Sequence, residues 1–247
     1  MDLQTFFTQH PRAAIAFSGG VDSAYLLYAA ARAGADVCAY YVQSEFQPAF
    51  ERRDAQRLAR DVGARMRVLQ ASALCAPGVR ENPPERCYFC KKAIFAAIAA
   101  AAREDGYTLL LDGTNASDDA ADRPGMRALR ELSVRSPLRE CGLTKAEIRE
   151  ASRVAGLFTW DKPAYACLAT RIPAGEVITP EKLAATERAE DYLFSLGFTD
   201  FRVRNVAGVA KIQLPAAQWA KLAEHRAEIL NYLRQDYTAV TLDLEVR

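Results

Sequence analysis

Through the first two-thirds of the chain, short apolar runs alternate with longer amphipathic stretches. AAIAF (13–17) is short and uniformly apolar, so it predicts a strand buried on both faces. A helical pattern follows from Ser23 to Ala33 and stops at Gly34. VCAYYV (37–42) predicts the second strand, AFERRDAQRLARDVG a charged helix closed by Gly63, and MRVL (66–69) the third strand. After a polar, proline-containing loop come the helix CYFCKKAIFAAIAAAARE and a fourth strand, TLLLDG (108–113). Strands separated by helices of this length predict parallel βαβ units with both sheet faces covered. After about Ile172 the pattern changes to helix (PEKLAATERAEDYLFSLG), strand (DFRVRNV), strand (VAKIQLP), helix (AAQWAKLAEHRAEILNYLRQ) and strand (AVTLDLEV). The expected architecture is α/β: a parallel, Rossmann-like sheet with helices on both faces over residues 1–172, and a smaller α+β domain over 173–247.

Composition changes this picture little. Half of the 247 residues are hydrophobic and 26% are charged, as in ordinary globular proteins. A net charge of +1 supplies no general attraction to nucleic acid or anionic lipid. MDLQTFFTQHPRAAIAF carries neither a secretory signal nor a membrane span, so a cytoplasmic protein with no membrane partner is expected. In a reducing compartment, six cysteines in a chain of this length argue against a disulfide scaffold. Cys38 reads as core, Cys75 and Cys141 receive no role, and Trp160 and Trp219 read as packing.

Chemistry first shows at SGGVDS (18–23), where the first strand turns into the first helix. Gly19 and Gly20 let the backbone approach an anion closely. Ser18, Ser23 and the amides around Val21 then point at that anion with the helix dipole behind them. Asp22 stands where it could hold Mg²⁺ or orient an α-phosphate. Neither a Walker pattern nor GxGxxG is present. The stretch resembles the hallmark of the PP-loop ATP pyrophosphatases, SGGxDS. That resemblance implies cleavage of ATP between its α- and β-phosphates to adenylate a carbonyl or carboxylate. It also implies an adenine site at the end of the second strand, around Val42, Gln43 and Ser44.

Cys87 and Cys90 form a CxxC at the start of a helix, which alone is compatible with a redox pair, half of a metal site or core packing. Cys167, in DKPAYACLATRIPAG, adds a third thiol. Three cysteines suit three irons of a 4Fe–4S cluster, whereas a structural zinc site would want a fourth Cys or His, and His10 and His225 lie in uninviting places. The whole set of stretches, AFSGGVDSAYLL, ENPPERCYFCKKAIF, LDGTNASDDAADRPGMRAL, ACLATRIPAG, LGFTDFRVR, AKIQLP and YTAVTLDL, is similar to the LarE-type sulfur transferases of nickel-pincer cofactor biosynthesis. The resemblance implies adenylation of a carboxylate of pyridinium-3,5-dicarboxylate mononucleotide and its conversion to a thiocarboxylate. One version of that family gives up the sulfur of the cysteine matching Cys167. The other holds a 4Fe–4S cluster through three cysteines, here Cys87, Cys90 and Cys167, and the CxxC places this chain with the second version.

The loop 112–125 gathers Asp112, Asn115, Asp118, Asp119, Asp122 and Arg123, with Arg123 in the family's RPG match beside the nucleotide. RSPL (135–138) resembles a turn that borders the active site in the superfamily, and Lys91 or Lys92 could neutralise phosphate. Arg202 and Arg204 fall on one side of a strand by period two, a grip suited to a mononucleotide phosphate. Glu190 matches a family acid on the preceding helix. The small domain is thereby expected to bind the substrate's phosphate and to support a homo-oligomer. ATP, Mg²⁺ and the cluster are the expected cofactors, and the residues do not name a sulfide donor. Two other classes compete: a PP-loop iron–sulfur tRNA thiolase, against which the near-neutral charge counts, and a non-enzymatic binding module.

Overall fold

The structure, a computed structural model, describes residues 1–118 and 124–245. The chain divides into two compact units, Met1–Ala76 with Glu85–Tyr165, and Pro77–Pro84 with Ala166–Arg247.

The first unit opens with α1 (Leu3–Gln9), a helix the apolar pattern did not announce. Asp2 caps it by accepting from the Thr5 N–H, and Leu3, Phe6 and Phe7 are buried. The elements that follow are β1 (Arg12–Ala16), α2 (Val21–Arg32), β2 (Asp36–Gln43), α3 (Ala49–Asp61), β3 (Arg65–Gln70), α4 (Arg86–Glu104) and β4 (Leu110–Leu111). Three further helices close the unit: α5 (Pro124–Glu131), α6 (Pro137–Glu140) and α7 (Lys145–Val154).

The strands form one all-parallel sheet in the order β3-β2-β1-β4. β1 is internal, so Ala13, Ala14 and Ile15 are fully buried, which explains the uniformly apolar run. Alternation sends Ala13, Ile15, Val37, Ala39 and Tyr41 into one core with side chains of α1, α2 and α3. Ala14, Cys38, Tyr40 and Val42 enter a second core with Phe95 and Ile98 of α4. β4 is shorter than the expected 108–113. Beyond Leu111 its partner is a single bridge to Arg135, with the Asp112 N–H on the Arg135 carbonyl, and the chain then turns away at Gly113.

The second unit begins with a 3₁₀ turn, Leu168–Arg171, followed by α8 (Pro180–Ser195), β5 (Arg202–Val206) and β6 (Val209–Gln213). Ala207 and Gly208, both at positive φ (48° and 81°), make the two-residue turn that joins β5 and β6 as an antiparallel hairpin. The expected single helix over 216–235 is instead a 3₁₀ turn, α9 (Trp219–Glu224) and α10 (Arg226–Leu233). The break falls at His225 (φ −88°, ψ 8°), off the helical minimum, where its ring bonds the Glu228 carboxylate. β7 (Ala239–Leu242) pairs parallel with β6, giving the sheet order β5-β6-β7. Phe198, Phe201, Val203, Ile212, Ile229 and Leu233 form the core of this unit, with Trp219 packed against it.

The segment Pro77–Pro84 is built into this second unit. Asn82 donates to the carbonyls of Ile172 (3.2 Å) and Pro173 (2.7 Å), and its own carbonyl accepts from Gly175 N–H at 2.8 Å. The Ile178 N–H bonds the Arg80 carbonyl at 2.9 Å. Trp160 is 40% exposed, against its reading as packing, and lies within the turn that follows α7. Among the described residues no helix is long and apolar enough to cross a membrane.

Candidate active site

Strand order reverses between β1 and β4, since β2 and β3 lie on one side of β1 and β4 on the other. At such a switch point the loops leaving two neighbouring strands diverge and open a crevice at their carboxyl ends. Residues 18–23 leave β1 there, and residues 112–118 leave β4. Together they line a cavity of about 260 Å³, with Lys91 and Phe95 of α4 on its wall.

Loop 18–23 is shaped by its own hydroxyls. Ser18 Oγ and Ser23 Oγ lie 3.1 Å apart, the Gly20 N–H donates to Ser18 Oγ, and Ser23 Oγ donates to the Gly20 carbonyl. Gly19 is required twice over: its φ is +73°, and a Cβ there would lie 3.0 Å from that of Ala55 on α3. Val21 is buried in the core and anchors the first turn of α2, leaving its backbone for the loop. Asp22 follows in that turn, where a carboxylate complements the helix dipole.

Three features of the crevice escaped the sequence reading. Gly113 is one, because a Cβ there would stand 2.8 Å from the Ser23 amide nitrogen, backbone against backbone. The second is the bracing of Asp112, which accepts from Thr114 Oγ1 (2.5 Å) and from Ser136 Oγ (2.6 Å) of the RSPL stretch. The third is Lys145, the first residue of α7, whose Nζ lies 2.5 Å from Asp22 Oδ2. The S/T-x-x-E pattern Thr144–Glu147 marks a helix start in the sequence, but only the packing of α7 against α2 brings the lysine to Asp22. Asn115 and Asp118 mainly build their own loop: the Asn115 N–H bonds Asp118 Oδ2, and Asn115 Oδ1 accepts from Ser117. Lys92 turns away to Glu131 and Tyr88. Arg123, with Asp119 and Asp122, lies outside the described residues.

Gln43 and Ser44, at the carboxyl end of β2, border a separate cavity of about 470 Å³ with Gln70 and Ser72 from the end of β3. Gln43 donates to the carbonyls of Ser44 and Gln47, and Ser44 Oγ donates to Gln47 Oε1 at 2.6 Å. Both side chains are therefore held in place beside the opening.

Cys87 and Cys90 are the second and fifth residues of α4, three apart and so on neighbouring positions of one helix face, Cys87 exposed and Cys90 buried. Arg86 Nη2 lies 3.8 Å from Cys87 Sγ, a cation beside the thiol. Burial pushes the Cys38 and Cys141 thiols up, in keeping with inert positions.

In the second unit, Cys167 immediately precedes the 3₁₀ turn, and its carbonyl accepts from both the N–H and Oγ1 of Thr170. Arg171 and Glu190 form a two-pronged ion pair (2.8 and 3.0 Å) with side chains 0% and 2% exposed. The Val203 N–H also donates to Glu190, and Arg171 reaches back to the Ala166 carbonyl. Arg202 is buried and donates to the Phe201 carbonyl, while Arg204 holds Gln213 and the Thr170 carbonyl. Glu190, through Arg171, and Arg204, through the Thr170 carbonyl, therefore both hold the turn that follows Cys167. Among the described residues, no group of three or more His, Cys, Asp or Glu side chains is assembled as a metal site.

No family model matches the chain. It is 38% identical over 248 aligned residues to an uncharacterised protein of Synechocystis sp., covering 99% of this chain and 92% of that protein. It is 33% identical over 236 residues to the pyridinium-3,5-bisthiocarboxylic acid mononucleotide synthase of Lactiplantibacillus plantarum, covering 94% of this chain and 86% of that enzyme. A GMP synthase of Thermus thermophilus is 29% identical over 209 residues, which are 75% of this chain and 40% of the synthase. The 33% identity to the synthase of Lactiplantibacillus plantarum, along nearly the full length of both chains, shows the family. The chain belongs to the LarE family, that of the pyridinium-3,5-bisthiocarboxylic acid mononucleotide synthases.

Proposed function

We propose that this protein is an ATP-dependent sulfur transferase, which activates a carboxylate of pyridinium-3,5-dicarboxylate mononucleotide as an acyl adenylate and converts it to a thiocarboxylate. The observation that carries this reading is the serine- and glycine-built loop 18–23 at the β1/β4 switch point, in a chain one-third identical to a synthase named for a bisthiocarboxylic product.

In this reading the amides of residues 19–23 and the hydroxyls of Ser18 and Ser23 hold the β- and γ-phosphates of ATP, with the α2 dipole favouring their charge. Asp22 would hold Mg²⁺, which supplies charge neutralisation on the phosphates. Its orphaned Oδ1, buried without a partner, fits an acid built for a ligand. Gln43 and Ser44 border the adenine, and Arg123 completes the phosphate site. A substrate carboxylate oxygen attacks the α-phosphorus. The bond to the bridging oxygen breaks, and pyrophosphate leaves with the electron pair. A sulfur nucleophile then adds at the acyl carbon and AMP departs, leaving the thiocarboxylate. Arg202, Arg204 and Glu190 are assigned to the substrate's phosphate.

Cys87, Cys90 and Cys167 would hold a 4Fe–4S cluster, which when bound supplies sulfur that can be renewed. The donor chemistry on α4 fits: Cys87 and Cys90 share one helix face near its N-terminal end, with Arg86 Nη2 3.8 Å from Cys87 Sγ.

Anaerobically purified protein given ATP is expected to release pyrophosphate only when the pyridinium dicarboxylate mononucleotide is present. Release with tRNA in its place would replace this reading by a tRNA thiolase. Iron and labile sulfide are expected to fall together in Cys87→Ala, Cys90→Ala and Cys167→Ala. If the wild type holds no more iron than these variants, the cluster is refuted. A protein lighter by one H₂S after turnover then assigns the sulfur to Cys167.

A further inference from the structure

Lys145 is placed against the usual logic of a helix start. It is the first residue of α7, where the helix dipole disfavours a cation, and nothing about folding α7 asks for it, since Thr144 and Glu147 already close the capping box. Its backbone is fixed from two sides: the preceding residue is the cap, and its own N–H donates to Ser117 Oγ at 3.0 Å. The side chain is a flexible four-carbon stem that ends on Asp22 Oδ2 and remains 37% exposed. A part-exposed ion pair of this kind contributes little to stability and exchanges readily. Meanwhile Asp22 Oδ1, a second and independent observation, is buried with no partner, so the carboxylate is half satisfied.

We propose that Lys145 is the exchangeable counter-ion of Asp22, a positioning residue that holds the carboxylate while the loop is empty and yields it to the divalent cation that accompanies the nucleotide. The inference rests on the nucleotide reading of loop 18–23. Its physical basis is charge: an ammonium and a divalent cation cannot both occupy one carboxylate, and a bare carboxylate beside a triphosphate repels it. Lys145 therefore matters most when metal is absent, because it then neutralises Asp22 next to the incoming phosphates. Once metal sits on Asp22, the lysine is dispensable at that oxygen.

The test is a coupling measurement that does not depend on turnover. Binding of α,β-methylene-ATP is followed by calorimetry in EDTA and in excess Mg²⁺ for the wild type, Lys145→Met and Lys145→Arg. Lys145→Met is expected to lose about tenfold in affinity in EDTA and less than about twofold in Mg²⁺, so that its Mg²⁺ dependence steepens. Lys145→Arg keeps a cation on Asp22 and is expected to track the wild type. A thermal melt of each variant confirms folding, and a structural role alone would lower affinity equally in both buffers. Equal loss in the two buffers, with the wild type binding nucleotide, overturns the exchange and leaves the nucleotide reading intact. Failure of the wild type to bind in either buffer overturns both.

Discussion

Gly113 carries a hydrogen where any side chain would meet the Ser23 amide in the first turn of α2, and this one atom keeps the β4 loop against loop 18–23. Gly113→Ala is expected to cost about 1–3 kcal/mol, since both partners are backbone and neither can swing aside. It should also weaken nucleotide binding by displacing Ser23. Gly20→Ala is the matched control. Gly20 has an ordinary φ of −77°, and its added Cβ would approach only the Ser18 hydroxyl, at 3.4 Å, so stability should change little. Urea unfolding with an unchanged m-value separates the two variants. The residue was visible in the stretch DGT, but its obligation was not. A glycine's need for close approach comes from a partner brought in by the fold, here the N-terminus of α2.

Among the elements, α7 is the one that brings Lys145 to Asp22. Thr144→Ala removes the two bonds that Oγ1 makes, from the Glu147 N–H and to the Glu147 carboxylate, leaves the backbone half of the capping box, and is expected to destabilise by about 1 kcal/mol. The same fraying should loosen the Lys145–Asp22 pair, so metal-free nucleotide affinity falls in parallel with the urea midpoint. Elements with strong periodicity were legible without coordinates: β1, β2, β3, α2, α3, α4 and α8 lie close to where the apolar pattern placed them. The pattern was silent where helices are short. α1 has seven residues and α6 has four, too few to establish a period. It overran at residues 216–235, where helical propensity continues through His225 but the backbone does not. In the crevice, the SGGVDS loop was legible because its shape is local, set by its own glycines and hydroxyls. Lys145 and the bracing of Asp112 by Ser136 were not, because each joins segments distant in the chain.

For the whole molecule, titration sets the edges of the stable pH range. Asp105 accepts from Tyr40 (2.6 Å) and from Arg67 (2.9 Å), and these bonds hold its carboxyl below the usual aspartate value. A depressed folded value stabilises fully above the ordinary value of about 3.9, and the contribution disappears as pH falls through the folded one. The stability difference between wild type and Asp105→Asn is therefore expected to be constant from about pH 5 to 8 and to shrink below about pH 4. At the other edge, burial pushes Tyr237 up to about 12, so the unfolded chain loses that proton first and stability declines above about pH 10. Tyr237→Phe should soften that decline, as urea midpoints across the range would record. The route of the backbone has a different consequence. Residues 77–84 are supplied by the first half of the chain yet are stitched by Asn82 and Arg80 into the second unit. A protease nick after Tyr165 should thus leave two pieces that co-elute, and co-expressed genes for 1–165 and 166–247 should behave as a split protein. The first piece made alone, with that stitch left dangling, should be the one that precipitates.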